Sequence, residues 1–534
     1  MDKLKCDVVI VGAGPAGLSC GIRLAQLAKE QGKSLEVFIL EKGSEVGAHI
    51  ISGAIFETAA LTELIPNWQV TDAPLKTKVT EDAFYWLSKK TSYSLPVPPG
   101  LNNRGNYVIS LGRLCRYLAA QAESLGVQIL PGYSGKDFML NDKGEVKGVI
   151  TGEKGILKTG EQGGQYQPGI AIEANKVVVA EGAKGSLAQK AMEIFHLDKD
   201  CQPQTYGLGF KEVWRVSSQM HQPGRVVHTA GWPMNSSTYG GGFLYHGDDQ
   251  KVMVGLIMGM DYKNPYLDPF REFQRYKHHP LIQRALDQGE RLSYGARTIN
   301  EGGYQAVPQC DFPGGVMIGC SAGLLNIAKI KGSHNAIRSG KLAAENIVKN
   351  LGAKEISVTN TFTSKLMQSG VIKELRSSRN IRPGFYRGNF FGVVNAAFTS
   401  YVSRGYEPWT IALKPDKNWD QHDQHQPIDY PAPDGVISFD RPTSVQLTNT
   451  NHAEDQPSHL VLKKPRLAIE HYYQLYRSPE TRYCPAGVYE IVDVDHTKKL
   501  QINSQNCIHC KACSGGNIQW VLPEGGDGPR YVDM

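Results

Sequence analysis

Cysteine spacing carries the sharpest chemistry in this sequence. Cys507, Cys510 and Cys513 stand at C-x2-C-x2-C spacing, and Cys484, followed by Pro485, lies upstream of them. A loop with that spacing turns successive sulfurs towards different irons of a cubane, and a Cys-Pro elsewhere supplies the fourth ligand of a [4Fe-4S] cluster. Four-cysteine zinc is tetrahedral too and stays open as the alternative, although zinc modules more often carry two C-x2-C pairs than a tight triple and a distant single. The other six cysteines (Cys6, Cys20, Cys115, Cys201, Cys310, Cys320) show no paired spacing and read as buried thiols in a reducing compartment.

A second chemistry opens the chain. The apolar run Val8–Val11 empties into Gly12-Ala13-Gly14-Pro15-Ala16-Gly17, a helix is expected over about 15–31, and the apolar run Val37–Leu40 ends at Glu41. Gly12 makes the tight turn, Gly14 lets the backbone approach a pyrophosphate and Gly17 lets helix and strand pack closely, while the helix N-terminus offers free N–H groups to the anion. Glu41 can accept the two ribose hydroxyls of an adenosine. It comes later than the usual ~20 residues, which the polar turn over 29–33 accommodates. Two further apolar strands end in small-residue turns, one at Glu181-Gly182 to Ser186, the other at Gly319 to Gly323-Leu324-Leu325-Asn326. Three such turns suit a long cofactor, FAD, held at separate points, whereas NAD needs only the first; each later turn alone also reads as an ordinary loop.

The elements between have another character. Residues 82–106 carry Phe84-Tyr85-Trp86 and a rigid Pro-rich loop, Leu95 to Leu101, and residues 210–256 alternate like an antiparallel sheet and contain Tyr239-Gly240-Gly241-Gly242. Those glycines read equally as a surface for a flat ring or as a strand bulge. From Lys373 the chain turns basic (Arg376, Arg379, Arg382, Arg387), then apolar through Phe390-Phe391 to Phe398, and closes with Tyr401, Arg404, Tyr406 and Trp409. The uncharged stretch 388–403 is too short to span a bilayer and reads either as a buried core element or as a monotopic membrane plug edged by arginines and aromatics. The His422 and His425 loop with Asp420 and Asp423 reads as solvated rather than metal-binding, and His278-His279 as surface.

At 534 residues the chain has length for two to four lobes with large cores, and a net charge of +6 is too small for its size to argue for nucleic acid. With strand residues at Asp7–Val11, no cleavable presequence is expected, which fits a bacterial cytoplasm or a processed organellar chain.

These stretches, with Gly47-Ala48-His49-Ile50-Ile51-Ser52-Gly53, Asn102–Tyr107, Glu301–Gln305, Lys331-Gly332-Ser333-His334, Asn380–Pro383, Tyr406–Thr410, Cys484–Glu490 and Asn506–Cys513, closely resemble the electron transfer flavoprotein:ubiquinone oxidoreductase family over nearly the whole chain. The resemblance implies an α/β fold: a Rossmann-like FAD-binding lobe (1–75, 105–200, 295–360) interleaved with an α+β ubiquinone-binding and membrane-contact lobe (76–104, 201–294, 361–433), then a ferredoxin-like iron-sulfur domain (434–534). It implies FAD, one [4Fe-4S] cluster on Cys484, Cys507, Cys510 and Cys513, Tyr489 as a tuning residue, and a quinone at Gly240 and Gly241. Membrane contact is implied through Pro98, Leu101, Phe390, Phe391, Phe398 and Trp409. The implied partners are soluble electron transfer flavoprotein, ubiquinone and a membrane surface, at the cytoplasmic face of a bacterial inner membrane or the matrix face of a mitochondrial one. Two departures concern the cluster: Ala512 stands where the family usually has threonine, a potential-raising donor, and the loop after Cys513 is shorter, Ser514-Gly515-Gly516. The competing enzyme reading is a soluble flavin-dependent reductase or hydroxylase of a lipid-like substrate with a structural four-cysteine metal site; a non-catalytic electron relay or scaffold is the other.

Overall fold

The computed structural model describes residues 2–351 and 357–534. Val8, Val9, Ile10 and Val11 are buried on both faces of the strand Lys3–Val11, the pattern of a central parallel strand. Its parallel neighbours are Val37–Glu41 and Ala171–Val179, and Gln128–Pro131 and Gly315–Met317 extend the sheet outward, again parallel. A hairpin of Gly135–Leu140 and Val146–Thr151 hooks onto Ala171–Val179 antiparallel. The helices Pro15–Glu30 and Ser333–Asn350 pack so closely that a Cβ at Gly340 would lie 2.3 Å from the Ala16 carbonyl oxygen. Helix Leu111–Ser124 starts at Ser110, whose hydroxyl accepts from the Arg113 N–H, and buries Leu114, Cys115, Leu118 and Ala122 against this sheet.

The second sheet has seven strands in the order Glu290–Asn300, Tyr206–Arg215, Lys251–Gly259, Gly240–His246, Arg225–Gly231, Glu81–Leu87 and Ser92–Leu95. All pairs are antiparallel except Arg225–Gly231 with Glu81–Leu87. Helix Pro269–Lys277 covers one face through Phe270, Phe273 and Tyr276. At its end Lys277 donates to both oxygens of the fully buried Glu212 at 2.9 and 3.0 Å, and Arg291 and the Trp214 indole complete that carboxylate's partners.

The C-terminal region is built on short pieces: Leu460–Leu462 pairs with Ile518–Trp520, and Tyr489–Val494 with Thr497–Ile502. The latter hairpin turns on Asp495 and His496, both left-handed at φ 49° and 60°, as a two-residue turn of that hand requires. The last residues stitch the lobes: the Met534 carbonyl accepts from Ser110 and Gly112, and Asp533 binds Arg113 and Lys251.

Several expectations change. After Asn326 there is only a short turn, Ile327–Lys329, because Gly323 and Ile330 are left-handed and interrupt it, so the long helix begins at Ser333. His279 is buried, its Nδ1 accepting from the Leu281 N–H at the start of a helix. Cys201 and Cys320 are only half-buried; the other four scattered thiols are buried, and no disulfide occurs among the described residues. Arg379 and Arg382 are buried rather than at a surface edge. Arg379 donates to the carbonyls of Arg376, Gly405, Glu407 and Trp409, fixing the return of the apolar stretch.

Arg382 joins Glu301 at 2.7 Å and Asp261 at 2.8 Å beneath the same stretch. Removing one member of such a buried set leaves uncompensated charge. Arg382→Leu is expected to lower stability by about 3–5 kcal/mol, read from the denaturant midpoint; an unchanged midpoint would show the carboxylates are not held by this arginine.

Candidate functional site

One long cleft runs from the first parallel sheet to the second. Gly12, Gly14, Pro15, Ala16 and Glu41 line it at one end, and Gly209, Phe243, Tyr245, Ile257, Arg297 and Thr298 border it from the second sheet. Helices Pro15–Glu30 and Ser333–Asn350 both aim their N-termini at the cleft through Gly14 and Gly332, neither is capped by a side chain, and neither has an acid in its first turn. Two uncapped N-termini on one cleft are anion-binding ends without their anion, which fits a pyrophosphate. Gly12 sits at φ 111° with its missing side chain facing the Ala180 carbonyl, and a Cβ at Gly17 would lie 2.0 Å from the Gly12 carbonyl oxygen. Gly14 has open space instead, leaving room for a ligand against the backbone. The Glu41 carboxylate is oriented by the N–H groups of Ala13 (3.0 Å) and Gly43 (2.7 Å). The donor set therefore fits FAD.

Of the later turns, Gly182 and Leu325 border the cleft. Glu181 accepts from the N–H groups of Ser186 and Ala188, so the helix behind Gly182 is capped by its own chain and offers no anion site. Three expected contacts face elsewhere. Gly319 packs its backbone against Ala16 and donates to Ser339, Gly323 lies under the Gln204 amide, and the Asn326 side chain is held by Glu374, Lys329 and Ser378. The small residues there pack closely, with Cys320 and Leu325 beside them bordering the cleft. Lys42, His49–Ala54, Lys211, Arg297, Lys331, Gly332, Ser333 and Lys511 line the cleft without having been singled out as cofactor contacts. The runs Gly47–Gly53 and Lys331–His334 were the visible signal for part of this set. Lys211 is buried with its amine unpartnered among the described residues, and burial pushes it down to about 7.

Cys484, Cys507, Cys510 and Cys513 line one small chamber with Leu460, Tyr483, Val488, Tyr489, Ile508 and Ala512. All four are buried and none is paired. Burial pushes the Cys484 thiol up to about 11 and those of Cys507 and Cys510 higher still. Thiols held up in this way give up their protons to a metal centre that takes the charge. The Val488 N–H points at the Cys484 sulfur at 3.5 Å, and the buried Tyr489 hydroxyl, beside Cys513, has no oxygen or nitrogen partner among the described residues. Both donors face sulfur, as an iron-sulfur centre uses them.

Cleft and chamber share a wall. Thr298 lines the cleft, and its N–H (3.0 Å) and hydroxyl (2.9 Å) both donate to the Cys510 carbonyl, while Lys511 borders both spaces. Beside this wall His49, His452, His459 and His509 pack together, the nitrogens of the last three within 4.8 Å of one another. Lys42 lies 3.5 Å from His509, and burial, aided by Lys42, holds all four imidazoles below their usual range. That surrounding charge repels a second cation, so the group is neutral aromatic packing between the two sites.

Gly241 pairs with Ile257 and shares the face of Phe243 and Tyr245, all three of which border the cleft, whereas Gly240 belongs to the opposite face of its strand. The apolar stretch forms the helix Asn389–Ala397 and a wider helical turn, Phe398–Ser403, with Phe390 75% and Phe391 60% exposed. Phe398 and Trp409 stack at 6.3 Å and remain partly exposed. Pro98 is half-buried, and Leu101 is 9% exposed, tucked under the loop rather than presented outward. The loop meets the apolar turn through Tyr401, whose hydroxyl donates to the Val97 carbonyl at 3.5 Å. Among the described residues no helix is long and apolar enough to cross a membrane.

Three family models match: FAD-NAD(P)-binding over residues 9–184, "ETF-QO, ubiquinone-binding" over 206–299, and "Electron transfer flavoprotein-ubiquinone oxidoreductase, 4Fe-4S" over 435–532. The mitochondrial electron transfer flavoprotein-ubiquinone oxidoreductase of Mus musculus is 47% identical over 556 residues, covering 99% of this chain and 89% of that protein. The Arabidopsis thaliana protein of the same name is 47% identical over 543 residues, covering 100% and 85%. Among solved structures, a geranylgeranyl bacteriochlorophyll reductase-like protein from Thermoplasma acidophilum aligns with a TM-score of 0.56 at 16% identity, covering 76% of this chain and 90% of that one. The flavin-dependent brominase Bmp2 aligns at 0.53 and 15%, covering 74% and 90%; both likenesses are of fold alone. With identity this high over nearly its full length, the chain belongs to the electron transfer flavoprotein-ubiquinone oxidoreductase family.

Proposed function

We propose that this protein is an oxidoreductase that accepts electrons from reduced electron transfer flavoprotein and reduces ubiquinone to ubiquinol at a membrane surface. The observation that carries the reading is the shared wall, where Thr298 and Lys511 join the flavin cleft to the cysteine chamber. When bound, FAD supplies one- and two-electron chemistry and the cluster one-electron chemistry. Gly12, Gly14, Pro15, Ala16, Glu41, Gly182 and Leu325 hold the flavin dinucleotide, Cys484, Cys507, Cys510 and Cys513 hold the cluster, and the Tyr489 hydroxyl tunes it. The segments 1–75, 105–200 and 295–360 form the FAD-binding lobe, 76–104, 201–294 and 361–433 the quinone and membrane lobe, and 434–534 the cluster unit.

The chain's own residues do the rest. Gly240 and Gly241 take the quinone ring against the sheet; with no side chains, Gly240 lets the strand approach the Ile257 carbonyl and Gly241 the Thr229 carbonyl. Phe390, Phe391, Phe398, Trp409 and Pro98 rest in lipid at the mouth, with Leu101 supporting the loop from beneath. The exposed Lys373, Arg376, Arg387 and Arg404 face anionic headgroups. On this reading the protein works on a membrane surface, at the cytoplasmic face in a bacterium or the matrix face in a mitochondrion. Quinone reduction consumes protons, and Lys211, lining the cleft with an amine that changes charge near neutrality, holds one there.

Adding reduced electron transfer flavoprotein and a short-chain ubiquinone to purified protein should yield quinol; no quinol from protein carrying both cofactors would overturn the reading. In that assay the rate should fall above about pH 7 as Lys211 loses its proton, and Lys211→Met should lose that limb and run about 100-fold slower; an unaltered pH profile would remove Lys211 from proton delivery. Burying each phenylalanine contributes about 1.5–3 kcal/mol, so replacing Phe390 and Phe391 with Asp should weaken liposome partitioning by at least about 100-fold. Intact partitioning would place the membrane contact elsewhere.

A further inference from the structure

Two half-buried lysines close on the carboxy-terminal end of the cysteine triple. The Lys417 amine donates to the carbonyls of Cys513 and Ser514, each at 3.2 Å. The Lys184 amine donates to the carbonyls of Lys511 at 3.2 Å and Ser514 at 3.1 Å, so the Ser514 carbonyl receives both. They arrive from separate parts of the chain. Lys184 belongs to the turn after strand Ala171–Val179, on the flavin side, and Lys417 to the connector that precedes the cluster unit. Each sits in the left-handed backbone region, Lys184 at φ 54° and Lys417 at φ 56°, an arrangement that costs a side-chain-bearing residue and is retained when the surroundings require it.

Neither amine has a carboxylate within 4.0 Å among the described residues; each instead lies over a ring, Lys184 over Tyr206 at 4.4 Å and Lys417 over Tyr483, a chamber residue, at 5.5 Å. Asp416 and Glu480 act on Lys417 only from farther away. Burial lowers both amines, Lys184 to about 7 with Lys417 adding to the shift, while the Cys513 and Cys510 sulfurs favour their charged forms; amines whose contacts are carbonyls and ring faces, set against a loop that carries three thiolate ligands, are counter-charge for whatever those ligands hold. Ala512 brings only a methyl to this loop, and the loop's own Lys511 amine is engaged by the Lys184 carbonyl.

We propose that Lys184 and Lys417 are positioning residues that set the reduction potential of the [4Fe-4S] centre. Building on the function proposed above, the one electron received from the reduced flavoprotein partner makes the centre more negative while no bond forms or breaks. Two adjacent ammonium groups favour that reduced state and raise its potential, and their hydrogen bonds hold the short loop 514–516 shut. The reciprocal bond, in which the Lys511 amine donates to the Lys184 carbonyl at 2.6 Å, ties this tuning to the flavin-side turn.

The test is a redox titration of anaerobically purified holoprotein followed by the electron paramagnetic resonance signal of the reduced cluster. Lys417→Met and Lys184→Met should each lower the equilibrium constant for cluster reduction about tenfold, a downward shift of ~59 mV for a one-electron couple. Lys417→Arg, which keeps the charge, should stay near the wild-type value. A Met variant with full signal and an unmoved potential would overturn the proposal, as would an Arg variant that shifts as far as the Met one. If Lys417→Met does not assemble the cluster, Lys184→Met, outside the cluster unit, decides the matter. A wild-type protein with no iron-sulfur signal would overturn the cluster assignment itself, leaving the lysines' role without an object.

Discussion

Four cysteine sulfurs share one buried chamber, where burial opposes a thiolate at Cys484, Cys507 and Cys510 and the neighbouring sulfurs raise the proton affinity of these three further. A metal centre that takes the place of the protons lets sulfur carry charge there. The remaining polar groups are arranged around this requirement: the Val488 N–H and Tyr489 hydroxyl face sulfur, Thr298 grips the Cys510 carbonyl, and the basic side chains Lys42, Lys184, Lys417 and Lys511 converge from the rest of the chain. Even the tail contributes, since residues 526–534 pin the loop's neighbours to the first lobe through Lys42, Ala48 and Ser110.

The flavin cleft answers an opposite need. There the lining brings positive ends together: two uncapped helix N-termini, Arg297, Lys42 and Lys331. Such a cleft is electrostatically incomplete without an anionic ligand. Cleft and chamber share Thr298 and Lys511, so the groups that stabilise negative charge in one also act on the other. Neutral imidazoles of His49, His452, His459 and His509 pack together beside this wall. This geometry makes electron passage between two bound cofactors a property of the wall rather than of any single reactive side chain.

Much of this was legible in the sequence. The first strand, the Gly-rich turn and the helix form where the sequence predicts them, because each rests on local rules: apolar runs for buried strands and glycine where backbone must approach backbone. The cysteine triple was legible for the same reason. Gly319, Gly323 and Asn326 were assigned to the cofactor because a small-residue turn after a strand looks alike whether it faces a ligand or a neighbouring helix; only the fold shows that Ala16, Gln204 and Glu374 occupy those directions. Leu101 was misplaced because exposure within a Pro-rich loop depends on what lies beneath it. Lys184, Lys417 and the four histidines carry no local pattern, since their partners are far off in the sequence, 327 positions for Lys184 and Lys511 and 96 for Lys417 and Cys513. The buried Arg379 and Arg382 looked like surface charge for the same reason: their carbonyl and carboxylate partners are distant in sequence.

The central claim is that two different redox groups sit on either side of one wall, and cofactor content measures it most directly. Protein purified without oxygen should contain one FAD, four irons and four acid-labile sulfides per chain, the composition of a single [4Fe-4S] cluster beside a single flavin dinucleotide. Stoichiometric zinc with no sulfide, or a cluster without flavin, would contradict it.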